Sequence, residues 1–200
     1  MTGVIYIHGQ GGNISEAGHY QTLLPDFNIT GFDYKADTPF EARDEFSEYL
    51  ESFSSMHKRI IIIANSLGAY FIMNVSNAHL IDRAYFISPV VDMESIIKNI
   101  MACENITERE LKLKHTIKAS SGIILSWDYL SWVRANPISW RVQTSILYGE
   151  HDNIQALETI KTFSRRIGAD LTIMKGGEHY FHTDEQMKFL DRWLLRSIEL

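Results

Sequence analysis

Residues 59 to 71 read Arg-Ile-Ile-Ile-Ile-Ala-Asn-Ser-Leu-Gly-Ala-Tyr-Phe, an apolar run passing straight into a turn of small residues with one serine, Ser66, at its apex. The run suits a fully buried strand, and Leu67 to Ser76 has helix-forming character, so Asn65 and Ser66 must reverse the chain within two or three residues. A reversal that sharp brings the strand and helix backbones nearly into contact. Ala64 and Gly68, two residues to either side of the serine, must then be small, and the serine is expected to be strained, with its hydroxyl lifted into solvent. A buried strand ending in an ordinary Asn-Ser turn would use the same residues.

The rest of the chain alternates strands with helices. Strands are expected near Gly3 to Ile7, Asn28 to Asp33, Arg59 to Ala64, Arg83 to Ser88, Thr144 to Tyr148 and Asp170 to Met174. That alternation predicts an α/β fold: a doubly wound, mainly parallel six-stranded sheet of order 2-1-3-4-5-6 with helices on both faces. In that order the first and third strands are neighbours whose connections leave in opposite directions, so their carboxyl ends form a binding crevice. The serine turn follows the third strand. A second small-residue turn, His8-Gly9-Gln10-Gly11-Gly12, follows the first. No Gly-Lys-Ser/Thr completes a phosphate loop there, and the Gly-x-Gly-x-x-Gly spacing of a dinucleotide site is absent.

Ala64-Asn65-Ser66-Leu67-Gly68 resembles the nucleophile elbow of the α/β-hydrolases, Gly-x-Ser-x-Gly, with alanine at the first glycine. His8-Gly9-Gln10-Gly11-Gly12 resembles the same family's oxyanion loop. Tyr148-Gly149-Glu150-His151-Asp152 is similar to its Gly-x-x-Asp acid turn, and Gly176-Gly177-Glu178-His179 to its Gly-His loop, each just past a strand. The resemblance implies that Ser66 is the nucleophile, His179 the general base and Asp152 the acid that orients it, in the family's chain order. A serine hydroxyl is a poor nucleophile until a neutral imidazole takes its proton, and a carboxylate fixes the imidazole tautomer. The resemblance also implies that the backbone N–H groups of Gln10 and Leu67 receive the negative charge that develops on the substrate oxygen. The expected activity is hydrolysis of a small carboxylic ester with no cofactor. A thioesterase, amidase or acyltransferase would use the same residues, and a fold kept without turnover would be a ligand-binding or interaction protein.

Each position has a plainer use. Asp152 or Asn153 could cap a helix running from Ile154 to Ile167. Asp92, just past the fourth strand, is a rival acid, and Glu150 a weaker one. His182 precedes Thr183-Asp184-Glu185-Gln186, which reads as a helix capping box, and belongs to the surface or the site's surroundings. His8 flanks the first glycine motif and is a candidate for the substrate pocket. No His or Glu spacing suggests a metal ligand set, and Cys103 lacks the strand-to-helix setting of a nucleophile.

The 200 residues, 45% of them hydrophobic, are expected to form one domain, with 92–142 as a helical insertion capping the cleft. Within it, Thr107-Glu108-Arg109-Glu110 reads as a helix start and Ser126 to Val133 as an aromatic helix halted before Pro137. Tyr129 and Trp132 are candidates for the pocket, whereas Trp127 and Trp140 are read as fixing the insertion to the body. A net charge of −6 without a basic cluster argues against nucleic acid as a partner. No apolar run approaches the roughly 18 residues of a membrane span, and the first strand begins by Gly3. With a single cysteine, this favours a cytoplasmic enzyme of a small-molecule substrate.

Overall fold

A computed structural model of the chain describes residues 2–198. In chain order the elements are β1 (Thr2–Ile7), α1 (Ala17–Leu23), β2 (Asn28–Gly31), α2 (Pro39–Met56), β3 (Arg59–Asn65), α3 (Ser66–Ile72) and β4 (Arg83–Ile87). There follow α4 (Met93–Cys103), α5 (Glu108–Lys114), β5 (Thr116–Lys118), β6 (Ile124–Ser126) and α6 (Trp127–Ala135), and then β7 (Thr144–Gly149), α7 (Leu157–Ile167), β8 (Asp170–Met174) and α8 (Asp184–Ile198). Six strands form one sheet in the order β2-β1-β3-β4-β7-β8. Every pairing in it is parallel. Counting only these strands, the order is 2-1-3-4-5-6, as the alternation of elements predicts.

Period-two side-chain alternation divides the apolar strands between two cores. Ile60, Ile62 and Ala64 face one core with Ile5 and Ile7, shared with α2, α3, α7 and the insertion. Ile61 and Ile63 face the other with Val4, Tyr6 and Ile87, covered by α1 and α8. Burial on both faces explains why β3 reads as an unbroken apolar run. Its register pairs Ile7 with Ala64 and Asn65 with Ile87, so β1, β3 and β4 end level at one edge. The loops that follow those ends are therefore neighbours in space.

The helix starts follow their local chemistry. Thr38 and Glu41 close a capping box with Pro39 in the first turn of α2. Thr107 caps α5, Ser126 caps α6 and Gly168, at φ 68°, ends α7. Two details differ from the sequence reading. The helix expected from Ile154 starts at Leu157, with Ala156 at its cap and no side-chain cap bond. The insertion carries an antiparallel hairpin, β5 with β6, beside its three helices. Trp140 is buried and its Nε1–H donates to Thr144 Oγ1 at 2.7 Å, which fixes the end of the insertion to β7.

Candidate active site

Ser66 is the first residue of α3 and has φ 46°, in the left-handed region that L-residues with a Cβ occupy only under strain. The turn around it has no spare room. A methyl on Gly68 would overlap the His8 carbonyl oxygen, and one on Gly9 would lie 3.1 Å from Ser66 Cβ. Ala64 is fully buried at the preceding small position. The Ser66 carbonyl accepts the Val90 N–H at 3.1 Å, tying the elbow to the loop after β4.

The chain folds three polar side chains from distant turns into one line. Ser66 Oγ–H donates to His179 Nε2 at 2.8 Å, and His179 Nδ1–H donates to Asp152 Oδ2 at 2.7 Å. The Asp152 side chain is fully buried and that of His179 is 17% exposed. Asp152 is held from its other oxygen: Oδ1 accepts the Ile154 and Gln155 N–H groups at 2.8 and 3.1 Å, in the loop ahead of α7. The two supporting turns are packed against each other. His151 N–H donates to the Gly177 carbonyl at 2.7 Å, and any side chain on Gly149 would overlap the Glu178 carbonyl.

The rival acids have other uses. Asp92 caps α4, accepting the Ser95 N–H at 3.0 Å. Glu150 accepts the Gly176 N–H at 2.9 Å and thereby holds the turn that leads to His179. His182 Nδ1 bonds the Tyr180 carbonyl at 2.7 Å and lies 3.5 Å from the Glu178 carboxylate.

The β1–α1 turn is closed by the Gly12 N–H on the Gly9 carbonyl at 3.1 Å, with Gly11 at φ 77°, so Gln10 stands at its corner above the end of β1. Leu67 is the second residue of α3, where a backbone N–H has no carbonyl one turn back to bind. His8 stacks on Tyr34, with ring centres 4.4 Å apart, and the Tyr34 hydroxyl donates to the His8 carbonyl at 3.0 Å.

A cavity of about 480 Å³ opens beside Ser66 and His179. Its walls come from the β1–α1 segment, including Gln10, Glu16 and Tyr20, and from the stretch after His179, including Phe181, Met187 and Leu190. None of its wall residues belongs to 92–142, and Tyr129 and Trp132 are not among them. Tyr129 packs on the large core, where burial, with Tyr70 nearby, pushes its phenol well above the usual tyrosine range. Trp132 is partly buried on α6, the helix that packs beside α4 and α2. His8 lies under the elbow, outside the cavity wall.

A polar network that sequence reasoning missed lies at the cavity wall. Asn65, the residue before the serine, donates from Nδ2 to the Tyr6 hydroxyl at 2.9 Å, and Tyr6 donates in turn to Glu16. Burial, together with Tyr20 and Glu16, raises the Tyr6 phenol far above its ordinary range, so it stays a donor. Asn13-Ile14-Ser15-Glu16 was the readable signal, since Asn13 and Glu16 form a capping box around the short 3-10 turn before α1. Among the described residues, no group of three or more His, Cys, Asp or Glu is placed to hold a metal ion, and no helix is long and apolar enough to cross a membrane.

No protein-family model matches the chain, and no curated protein sequence is similar enough to count as a relative. Solved structures do match. Alpha/beta hydrolase domain-containing protein 10 from mouse superposes with a TM-score of 0.78 at 15% identity, over 98% of this chain and 89% of that one. Est1E from Butyrivibrio proteoclasticus superposes with a TM-score of 0.73 at 19% identity, over 98% and 88%. An esterase from Thermogutta terrifontis gives 0.63 at 12% identity, over 100% and 90%. The chain has the fold of the α/β-hydrolase superfamily.

Proposed function

We propose that the chain is a serine hydrolase that cleaves a small carboxylic ester through an acyl-enzyme. The observation that carries this reading is the unbroken line Ser66 Oγ, His179 Nε2, His179 Nδ1, Asp152 Oδ2, with links of 2.8 and 2.7 Å, at the carboxyl edge of the sheet. In the first half-reaction Oγ attacks the ester carbonyl carbon as its proton passes to His179 Nε2. The oxyanion formed is received by the N–H groups of Gln10 and Leu67, worth a few kcal/mol each when aimed at that oxygen. Collapse breaks the bond to the alkoxy oxygen, which leaves as the alcohol with the proton from His179. Water then attacks the acyl carbon, gives its proton to Nε2, and the carboxylic acid leaves as Oγ recovers the proton. Asp152 keeps Nδ1 protonated and stabilises the imidazolium between the two transfers.

Ester chemistry is favoured by the company the fold keeps. Est1E of Butyrivibrio proteoclasticus is also known as a complex with ferulic acid, and the Thermogutta terrifontis protein is described as an esterase. The test is labelling by a fluorophosphonate, with Ser66→Ala as control, followed by matched ester, thioester and amide substrates. Labelling of the wild type alone, with esters turned over fastest, is the expected result. Labelling that survives in Ser66→Ala assigns the nucleophile elsewhere.

A further inference from the structure

The cavity beside Ser66 holds permanent charge of one sign. Glu16 stands in its wall, and no Lys or Arg does. The wall also contains three imidazoles, and each already faces a carboxylate: His19 Nε2 is 2.7 Å from Asp191, His179 Nδ1 is 2.7 Å from Asp152, and His182 Nδ1 is 3.5 Å from Glu178. Protonating any of them therefore neutralises a pair and leaves no net positive wall. Glu16 has no cationic partner among the described residues. Its carboxylate accepts the Asn13 N–H at 3.2 Å and the Tyr6 hydroxyl, both neutral donors, and a carboxylate has lone pairs beyond these two.

The aromatic part of the wall is neutral. The Tyr6 and Tyr20 rings, 4.9 Å apart, are almost wholly buried behind that wall and add no charge to it. Resting on the serine-hydrolase reading for turnover, we propose that this cavity selects esters carrying a primary ammonium group on the part that enters it, and rejects esters carrying a carboxylate there. Glu16 binds the cation.

The test uses three compounds of equal length, hexylammonium, 1-hexanol and hexanoate, as protectants of wild-type protein against fluorophosphonate labelling at about pH 8, where free imidazole is neutral. Hexylammonium is expected to halve the labelling rate at a concentration roughly tenfold below that of hexanol, with hexanoate weakest. In Glu16→Gln the gap between hexylammonium and hexanol should close to about twofold or less. The wild-type order decides the matter even where that variant folds poorly. Equal protection by the ammonium and the alcohol, or better protection by hexanoate, overturns the proposal and leaves the serine-hydrolase reading standing. If the protein does not label at all, that reading fails, and binding of the same compounds, followed by shifts of the His19 and Tyr20 ring signals in NMR spectra, decides the cavity separately. Tighter binding of hexylammonium then supports the cation site, and any other order overturns it.

Discussion

Ser66 Oγ lies 2.8 Å from His179 Nε2 although 113 residues separate them in the chain. The contact exists because β3 and β8 are both parallel strands ending at one edge of the sheet, and because Ser66 accepts φ 46° to raise its hydroxyl above that edge. Ser66→Ala should abolish fluorophosphonate labelling without changing the circular dichroism spectrum. Ser66→Gly should be inactive too, yet more stable than Ser66→Ala by about 1 kcal/mol, since glycine occupies the left-handed region without a Cβ clash. Comparing the two by urea denaturation separates the strain from the chemistry, and equal midpoints would show that φ 46° stores no strain.

The two candidate acids make opposite predictions. Asp152 bonds the histidine and Asp92 only caps α4. Asp152→Asn should lower kcat by about four orders of magnitude, because the amide favours the wrong imidazole tautomer. Asp92→Asn keeps a cap acceptor and should cost no more than a few tenths of a kcal/mol in stability. A larger loss of kcat in Asp92→Asn would reassign the acid.

The small residues of the elbow are not equivalent. Gly68 sits against the His8 carbonyl, so Gly68→Ala must push β1 from α3, moving the Leu67 N–H that is proposed to receive the oxyanion. A loss of stability of roughly 1 to 3 kcal/mol is expected, with kcat falling further than the fold loss alone explains. Ala64 already fills the other small position and is fully buried there, so Ala64→Gly should leave kcat/KM within about threefold while costing up to about 1 kcal/mol of strand stability. Matched losses in both variants would mean that the elbow tolerates neither change and that its two ends are equally tight.

The order of the sheet and the positions of Ser66, Asp152 and His179 were legible because each follows from a local rule: an apolar run, a turn residue, a motif just past a strand. The Glu16, Tyr6 and Asn65 network was not, because it joins residues 10 and 59 positions apart that no periodicity relates. The β5–β6 hairpin escaped for a different reason. Its strands are three residues each with one buried side chain, Leu125, between them, and Gly122, at φ 90°, marks its turn. Aromatic content likewise marked Tyr129 on α6 without saying which way the ring faces, and it packs, partly buried, against the core.

Two pH effects have opposite origins. Hydrolysis should fail toward acid because a protonated His179 Nε2 cannot accept the Ser66 proton. Stability should fall in acid through the insertion. Lys98 and Arg134 hold the Glu94 carboxyl below the usual carboxylate range, and Arg134 does the same for Glu108. With folded values below unfolded ones, the unfolded chain binds more protons, so this contribution is present above the unfolded value and disappears as pH falls through the folded ones. About a third or more of each of the three side chains is open to solvent, which screens the pairs, so Arg134→Met should cost about 1 kcal/mol or less near neutral pH and nothing near pH 2. Denaturation of both proteins at the two pH values checks the sign, and an undiminished difference in acid would show that packing, not charge, is the cause.

Substrate length should be selected from the α8 side of the cleft. Met187 and Leu190 stand in the wall of the cavity beside Ser66, whereas Tyr129 packs on the core and Trp132 lies on α6 away from that wall. Met187→Ala enlarges the cavity and should shift kcat/KM between short and longer acyl or alkyl esters by roughly 1 to 3 kcal/mol. Tyr129→Ala instead empties packed volume and should lower stability by roughly 3 kcal/mol or more while leaving the length preference unchanged. Trp132→Ala should also leave the preference unchanged. The measurement is kcat/KM over p-nitrophenyl esters of increasing length for the wild type and the three variants. A change of preference in Tyr129→Ala or Trp132→Ala, with Met187→Ala inert, would place the selective wall on the insertion and make it the cap that its position after β4 suggests.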